Sequence, residues 1–92
     1  MKNIAEKQEA LFKHLKYIQE KSVVIALSKY KENDNLENLL YEVSFDALCG
    51  FLELIDGYVT DEIKLDLIDK ETSISMRTNI KLHDKCVDYL RV

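Results

Sequence analysis

The stretch that decides the fold is residues 35–56, NLENLLYEVSFDALCGFLELID, because two apolar stripes run along it at helical spacing. The stripes lie side by side on the helix surface. A helix with two adjacent apolar stripes is contacted from two sides, so this segment is predicted to be the central helix. The first stripe consists of Leu36, Leu39, Leu40, Val43, Ala47, Phe51 and Leu54, and the second of Tyr41, Phe45, Leu48, Leu52 and Ile55.

Both ends of the central helix carry local signals. Asp34 followed by Glu37 resembles a capping box, in which side chains satisfy the first free amides of a helix. Gly57 follows the last apolar residue and can adopt the positive φ that ends many helices. We therefore expect the helix to end at Gly57.

A second helical pattern occupies residues 3–30. Up to about Lys21 its apolar and charged residues fall on opposite faces, but residues 23–27, VVIAL, are apolar all round. Either the helix is buried on every side there or it bends near Ser22. A straight helix over 3–30 would be about 42 Å long, longer than a compact domain of this size. It would then protrude or pair with a second copy, so Val23, Val24 and Leu27 are candidate self-association residues.

The last third of the chain gives two patterns. Apolar and polar residues alternate on either side of a turn at 69–72, which favours a β-hairpin over 63–77, with a helix as the alternative. A closing helix is predicted beyond it, capped by Thr78 or Asn79. Its apolar stripe contains Ile80, His83, Cys86, Val87 and Leu90.

These elements predict a single, mainly α domain over residues 1–92, with long N-terminal, central and C-terminal helices and the hairpin. The alternative is a plain four-helix bundle. The longest apolar run has five residues, far short of the roughly 20 that span a bilayer, and no signal peptide is present. We expect a cytoplasmic protein with reduced cysteines and no membrane segment. Eleven Lys against two Arg suggest a bacterial or phage source.

Charge is segregated along the chain. Residues 1–31 carry +4, residues 32–75 carry −10 and the rest +2, for a net charge of −4. This balance argues against nucleic acid as a partner. Four carboxylates form the polar strip of the central helix: Glu42, Asp46, Glu53 and Asp56. Such strips most often face water, but this one could also bind a basic partner, Lys side chains of the first helix or a hard metal ion.

His83 and Cys86 lie on one helical face, a geometry that zinc or a thiol-dependent activity could use. Both fall within the apolar stripe, which favours a core pair instead. No phosphate-binding glycine loop or nucleophile turn occurs. We therefore predict no catalytic residue, no metal ligand and no cofactor.

The sequence thus favours a small non-enzymatic interaction or regulatory protein, of the immunity, antitoxin or regulator type. Glu42, Asp46, Glu53 and Asp56 would bind a basic protein partner, and the apolar patch at Val23, Val24 and Leu27 would form a homodimer. The alternative is a metal- or thiol-dependent activity centred on His83 and Cys86.

Overall fold

The computed structural model describes residues 3–31 and 35–91. Within them the chain is mainly helical and forms no β-strand. Helix α1 spans Ile4–Lys29 and α2 spans Leu36–Ile55. An irregular segment follows, and a 3₁₀ turn over Leu82–Lys85 then leads into the short helix α3, Cys86–Tyr89. The predicted helical class is confirmed.

Asparagine side chains begin both long helices. Asn3 accepts a hydrogen bond from the Glu6 amide at 2.9 Å, and Asn35 accepts one from the Glu37 amide at 2.7 Å. Each side chain satisfies an amide that has no partner inside the helix. The predicted capping residue Asp34 lies outside the described residues, and the N-cap of α2 is Asn35.

Helix α2 ends at Gly57, as its sequence predicts. The glycine has φ +84°, and its amide donates to the Leu54 carbonyl at 3.1 Å. The next amide, that of Tyr58, donates to the Glu53 carbonyl at 3.0 Å. These two bonds form a Schellman motif, which turns the chain back towards α1.

The two long helices form an antiparallel pair. Lys29, at the end of α1, lies 3.6 Å from Glu42 near the start of α2, whereas Ile18 in mid-α1 packs on Gly50. A Cβ atom at Gly50 would lie 2.9 Å from Ile18 Cγ2, so glycine permits this close approach. The buried cluster at this junction contains Ala10, Ile18, Leu54 and Ile63.

Helix α1 continues unbroken through Ser22, whose hydroxyl donates to the Ile18 carbonyl at 2.7 Å. Beyond it, Ala26 is buried, but Val23, Val24 and Leu27 are 42, 65 and 58% exposed. The expectation that this segment is enclosed on every side is therefore wrong. Its apolar side chains face outward because the neighbouring helix covers only one side of α1.

The predicted hairpin at 63–77 is not formed. A single antiparallel bridge joins Ile68 to Ser75. It is formed by the Asp69 amide, which donates to the Ile74 carbonyl at 2.9 Å, and the Met76 amide, which donates to the Leu67 carbonyl at 2.7 Å. Two short paired segments without a third strand are marginal in water. The helical alternative for this region is not observed either.

Local side-chain bonds explain why no strand forms. The Asp69 carboxylate accepts both the amide and the hydroxyl of Thr72, at 2.9 and 2.6 Å. Asp66 accepts its neighbour's amide at 2.8 Å and the Ser75 hydroxyl at 2.6 Å. Ser73 adopts φ 62°. Short polar side chains thus take the backbone donors that a ladder would use.

The closing helix is shorter than predicted and is not capped by Thr78 or Asn79. Asn79 has φ 65°, which is outside the helical region, and the 3₁₀ turn begins after Lys81, whose side chain makes no cap bond. Only two long helices occur within 3–31 and 35–91, so one described chain is not a four-helix bundle.

Candidate docking groove

The four carboxylates of the predicted strip have different surroundings. Glu42 forms an ion pair with Lys29 of α1 at 3.6 Å, while Asp46 and Glu53 line a groove between the long helices. Asp56 caps the end of α2 and is buried. The strip is therefore divided between a helix contact, a groove and the protein interior.

Asp56 organises the C-terminal part of the chain. Its side chain is 1% exposed and accepts the amides of Leu82 and His83 at 3.1 and 2.9 Å. The same carboxylate accepts His83 Nδ1 at 2.6 Å, and Arg77 Nε lies 3.4 Å away. These contacts replace the cap that the 3₁₀ turn lacks within its own sequence.

These hydrogen bonds stabilise the ionised form of Asp56. Burial by itself would raise its pKa, but the backbone and ring of His83 and the amide of Leu82 outweigh burial, and the pKa lies below its ordinary value. Both oxygens of this buried carboxylate are occupied by partners within the chain. Asp56 thus serves the fold and is not accessible to a partner.

The second nitrogen of the His83 ring is also engaged. Nε2 lies 3.3 Å from Asp84 Oδ1, and the ring packs edge-on against Tyr58 with centroids 4.7 Å apart. Cys49 Sγ approaches the backbone carbonyl of His83 at 3.9 Å. In the described part of the chain, no three His, Cys, Asp or Glu side chains are placed to hold a metal ion.

The two cysteines differ in burial: Cys86 is buried, whereas Cys49 is half-buried and lines the groove between the long helices. Burial, followed by the neighbouring Cys86 and Glu53, raises the pKa of Cys49 to about 12. A thiol with that pKa is protonated near neutral pH, and the thiolate is the nucleophile. Cys86 is buried. The core pair expected from the sequence was His83 with Cys86, and the structure places a hydrogen-bonded His83 and a buried Cys86 there.

A groove of about 320 Å³ opens between α1 and α2, on the side where Tyr58 follows the end of α2. We call it the acidic groove and define it by Tyr17 and Lys21 of α1, Asp46 and Glu53 of α2, and Tyr58. The two carboxylates are seven residues apart, so they project in nearly the same direction two turns apart. The tyrosines supply aromatic walls.

Asp46 is unusual within this groove. Its Oδ2 atom is buried and accepts no hydrogen bond from the described residues. Burial raises the pKa of Asp46, Lys29 opposes that effect and Glu42 adds to it. A buried carboxylate oxygen without a partner is costly, because it has lost water and gained nothing in exchange.

Cations already present at the groove do not occupy its carboxylates. Lys21 Nζ lies 5.9 Å from the centroid of the Tyr17 ring, a cation–π contact on α1. Lys29 is directed to Glu42. Among the described residues, Glu53 Oε1 accepts the Cys49 thiol at 3.6 Å, and Lys29 acts on Asp46 only through its charge.

The predicted self-association residues fall on two sides of α1. Val24 lies three residues after Lys21 and seven after Tyr17, so it shares the side of the acidic groove. Val23 is rotated from it by about 100° and lies on the opposite flank. Leu27 lies between them. The three residues are exposed, and Leu27 connects the other two because residues three and four apart on a helix are neighbours.

The acidic residues of the groove were predicted from the sequence, but the aromatic residues that line it were not. Tyr17 and Tyr58 come together from positions 41 residues apart, which no local spacing reveals. The high tyrosine content was the only signal, since tyrosine is frequent at interfaces. Arg77, which supports Asp56, had no recognisable signal.

Comparison with family models, curated proteins and solved structures gives no match. In residues 3–31 and 35–91, no helix has both the length and the apolar character to cross a membrane. The functional argument therefore depends on the geometry of the groove.

Proposed function

We propose that this chain is a small non-enzymatic interaction protein that binds a basic segment of a protein partner in the acidic groove. The observation that carries the proposal is the buried, unpartnered Oδ2 of Asp46 beside an open groove that Glu53 also lines. An arginine or lysine side chain in the groove would place a positive charge beside the carboxylates of Asp46 and Glu53.

The chemistry of the groove favours a cation over other occupants. Leaving a buried acceptor unsatisfied costs about 1–3 kcal/mol, and a guanidinium group can recover it with a charge-assisted bond. The rings of Tyr17 and Tyr58 already lie 5.9 and 5.1 Å from Lys21 and Lys81 Nζ, so both walls of the groove are compatible with a cation.

Asp56 is not part of the proposed surface. Its carboxylate is enclosed by Leu82, His83 and Arg77, so reversing its charge would disrupt the fold rather than test a partner. The residues that carry the proposal are Asp46 and Glu53, with Glu42 at the far end of the same helix side.

A metal- or thiol-dependent activity at His83 and Cys86 gains no support from this geometry. Both ring nitrogens of His83 face carboxylates, and burial keeps the Cys49 thiol protonated. A role as a bacterial or phage regulator in the cytoplasm, such as an immunity protein or antitoxin, fits a groove built for a basic partner. We include that role in the proposal.

The test is a titration of ¹⁵N-labelled protein with N-acetyl-arginine amide, followed by NMR, with N-acetyl-citrulline amide as the neutral isostere. We expect the amide signals of residues 46–53 to move with the arginine compound and not with the citrulline compound. Asp46→Asn or Glu53→Gln should weaken binding about tenfold, which corresponds to about 1.4 kcal/mol.

Glu9→Gln and Glu20→Gln remove the same charge from exposed positions of α1 and serve as matched controls. They should bind as the unmodified chain does. Equal shifts from both compounds, or binding that survives loss of both groove carboxylates, would exclude the proposed docking mode.

A further inference from the structure

The solvent-accessible surface of this chain is larger than that of a typical monomer of the same mass. Its accessible area is 7161 Å², against about 5,500 Å² for a typical monomer of 10.8 kDa. Its radius of gyration is 15.3 Å, against about 12 Å for a compact domain of this length. The molecule measures 49 × 28 × 19 Å, so it is a flat body in which one side of the helix pair lacks a second layer.

The uncovered side is strongly apolar. A shallow cleft there is lined by residues of α1 and α2 alone, among them Phe12 and Phe51. Phe12, Leu36 and Leu40 are 67, 63 and 57% exposed. Spacings of three, four, seven or eight residues place further apolar residues on the same side. We call this surface the open face: Phe12, Leu15, Val23, Leu36, Leu40 and Phe51.

We infer that the open face is covered by a second copy of this chain, and that the two helix pairs form a four-helix bundle in the dimer. Helices bury their apolar side against another layer, and two helix pairs stacked face to face are a common stable solution. The same patch on both copies makes a closed, two-fold interface. One described chain does not form a four-helix bundle, but a dimer of two chains would.

The charges of the two helices specify how the copies are arranged. Helix α1 carries five Lys and three Glu, whereas α2 carries three Glu and one Asp and no basic residue. Stacking α2 on the partner's α2 would bring like charges together at the interface rim. A crosswise arrangement, with α1 of each copy over α2 of the other, brings opposite charges together.

The surface excess of the whole chain is compatible in size with a dimer interface. The surface excess is about 1,600 Å² per chain by the same scaling. A standard interface needs about 800 Å² from each partner, and permanent homodimers commonly bury about 1,000–2,500 Å² per partner. The open face also lies about 140° round α1 from Tyr17, so a dimer would leave the acidic groove free. The inference therefore stands independently of the proposed function.

The first test is sedimentation equilibrium of the full chain and of the variant Phe12→Glu/Leu40→Glu. We expect the unmodified chain to be a dimer at micromolar concentration and the double variant to dissociate at least a hundredfold more readily. Val24→Glu is the matched control, because its site is 65% exposed but lies on the groove side. It should remain a dimer.

A monomeric unmodified chain, or a double variant that still dimerises, overturns the inference. Dissociation by Val24→Glu alone would place the interface on the other side and overturn it as well. If the double variant is unfolded, urea unfolding of the unmodified chain decides: its midpoint rises with protein concentration for a dimer and is constant for a monomer.

The crosswise arrangement is tested with a carbodiimide, which joins lysine amines to carboxylates that are in contact. Dimers mixed from ¹⁴N- and ¹⁵N-labelled chains identify cross-links between copies by mass spectrometry. Links from α1 lysines to α2 carboxylates of the other copy are expected. Links confined to the two α1 helices would overturn the crosswise arrangement.

Discussion

His83 Nδ1 lies 2.6 Å from Asp56 Oδ2 and joins the end of α2 to a turn 27 residues later in the chain. The ring nitrogen donates and the ionised carboxylate accepts. Because the same oxygen also accepts the His83 amide, this residue is held by its backbone and by its side chain. The position of the C-terminal turn therefore depends on one carboxylate.

Asp56→Asn should lower the free energy of unfolding by about 2–3 kcal/mol, because hydrogen bonds to a charged group are lost inside the protein. Since the pKa of Asp56 is lowered, its contribution is complete above the unfolded value of about 3.9 and is lost as pH falls through the folded value. Urea unfolding at pH 7 and at pH 3 measures both effects.

The same substitution at an exposed site provides the control for Asp56. Asp61→Asn should change the unfolding free energy by less than about 0.5 kcal/mol. An equal effect of the two variants, or a difference that persists unchanged at pH 3, would contradict the role assigned to the Asp56 carboxylate.

Asp46→Ala should raise stability, by about 1 kcal/mol at pH 7, because it removes a buried acceptor that has no partner. The sign of the pH effect is opposite to that of Asp56. The raised pKa means that ionised Asp46 costs stability above its folded pKa, and that this cost disappears as pH falls below the unfolded value.

Urea midpoints at pH 7 and pH 3.5 measure the Asp46 effect, with Glu20→Ala on exposed α1 as the control. The gain from Asp46→Ala should shrink at the lower pH. A loss of stability at pH 7 would show that the Asp46 carboxylate has a partner that supports the fold.

Gly50→Ala should destabilise the protein by about 1 kcal/mol, because the added methyl would crowd Ile18 Cγ2. Overpacking costs about 1–3 kcal/mol, and the better helix propensity of alanine returns about 1. With Ile18→Ala as background, the crowding is absent and Gly50→Ala should stabilise by about 1 kcal/mol.

The double-mutant cycle of Gly50 and Ile18 is measured by urea unfolding, with sucrose added to all four proteins so that the weakest remains folded. A coupling energy of about 2 kcal/mol is expected. Additive effects would mean that the helices do not meet at these two residues.

Alkylation of Cys49 should depend steeply on pH. With a pKa of about 12, the thiolate fraction rises roughly tenfold per pH unit from pH 7 to 9.5. The labelling rate at Cys49, followed by peptide mass spectrometry with iodoacetamide, should rise without levelling off. Protein unfolded in urea is the control, because a free thiol levels off above about 8.5. A plateau in the native protein would refute the buried setting of Cys49.

The two long helices could be predicted from the sequence because their determinants are local. Apolar spacing defines α2, and the turn at Gly57 ends it through the bonds from the Gly57 amide to Leu54 and from the Tyr58 amide to Glu53. The length of α1 follows equally from the absence of a breaking residue. Its exposed apolar side chains could not be predicted, since spacing alone does not show which side a neighbour covers.

The C-terminal segment was predicted less well because its determinants are distant in sequence. An apolar stripe suggested a helix from residue 80, but the amides of Leu82 and His83 are capped by Asp56. The alternation at 63–77 suggested strands, but Asp66 and Asp69 bind the local backbone instead. In the C-terminal turn a tertiary contact overrides the apolar pattern, and in residues 63–77 local side-chain hydrogen bonds do.

The candidate site was predicted in part. Helical spacing grouped Asp46, Glu53 and Asp56 on one side of α2, and two of them line the groove. Spacing could not separate these two from Asp56, which is internal because the chain turns at Gly57 and returns over it. Only the structure shows that Asp56 is buried and bonded within the chain, whereas Asp46 and Glu53 line a groove.

The two oxygens of Asp56 that several residues share also determine how the C-terminal segment unfolds locally. Arg77, Leu82 and His83 are held by a single side chain, so none of them can leave without weakening the others. Residues 77–90 should therefore unfold as one cooperative unit below the global transition, with matching hydrogen-exchange rates for the Leu82 and His83 amides. The same opening event uncovers the buried thiol of Cys86, so its exposure reports the lifetime of this part of the native state.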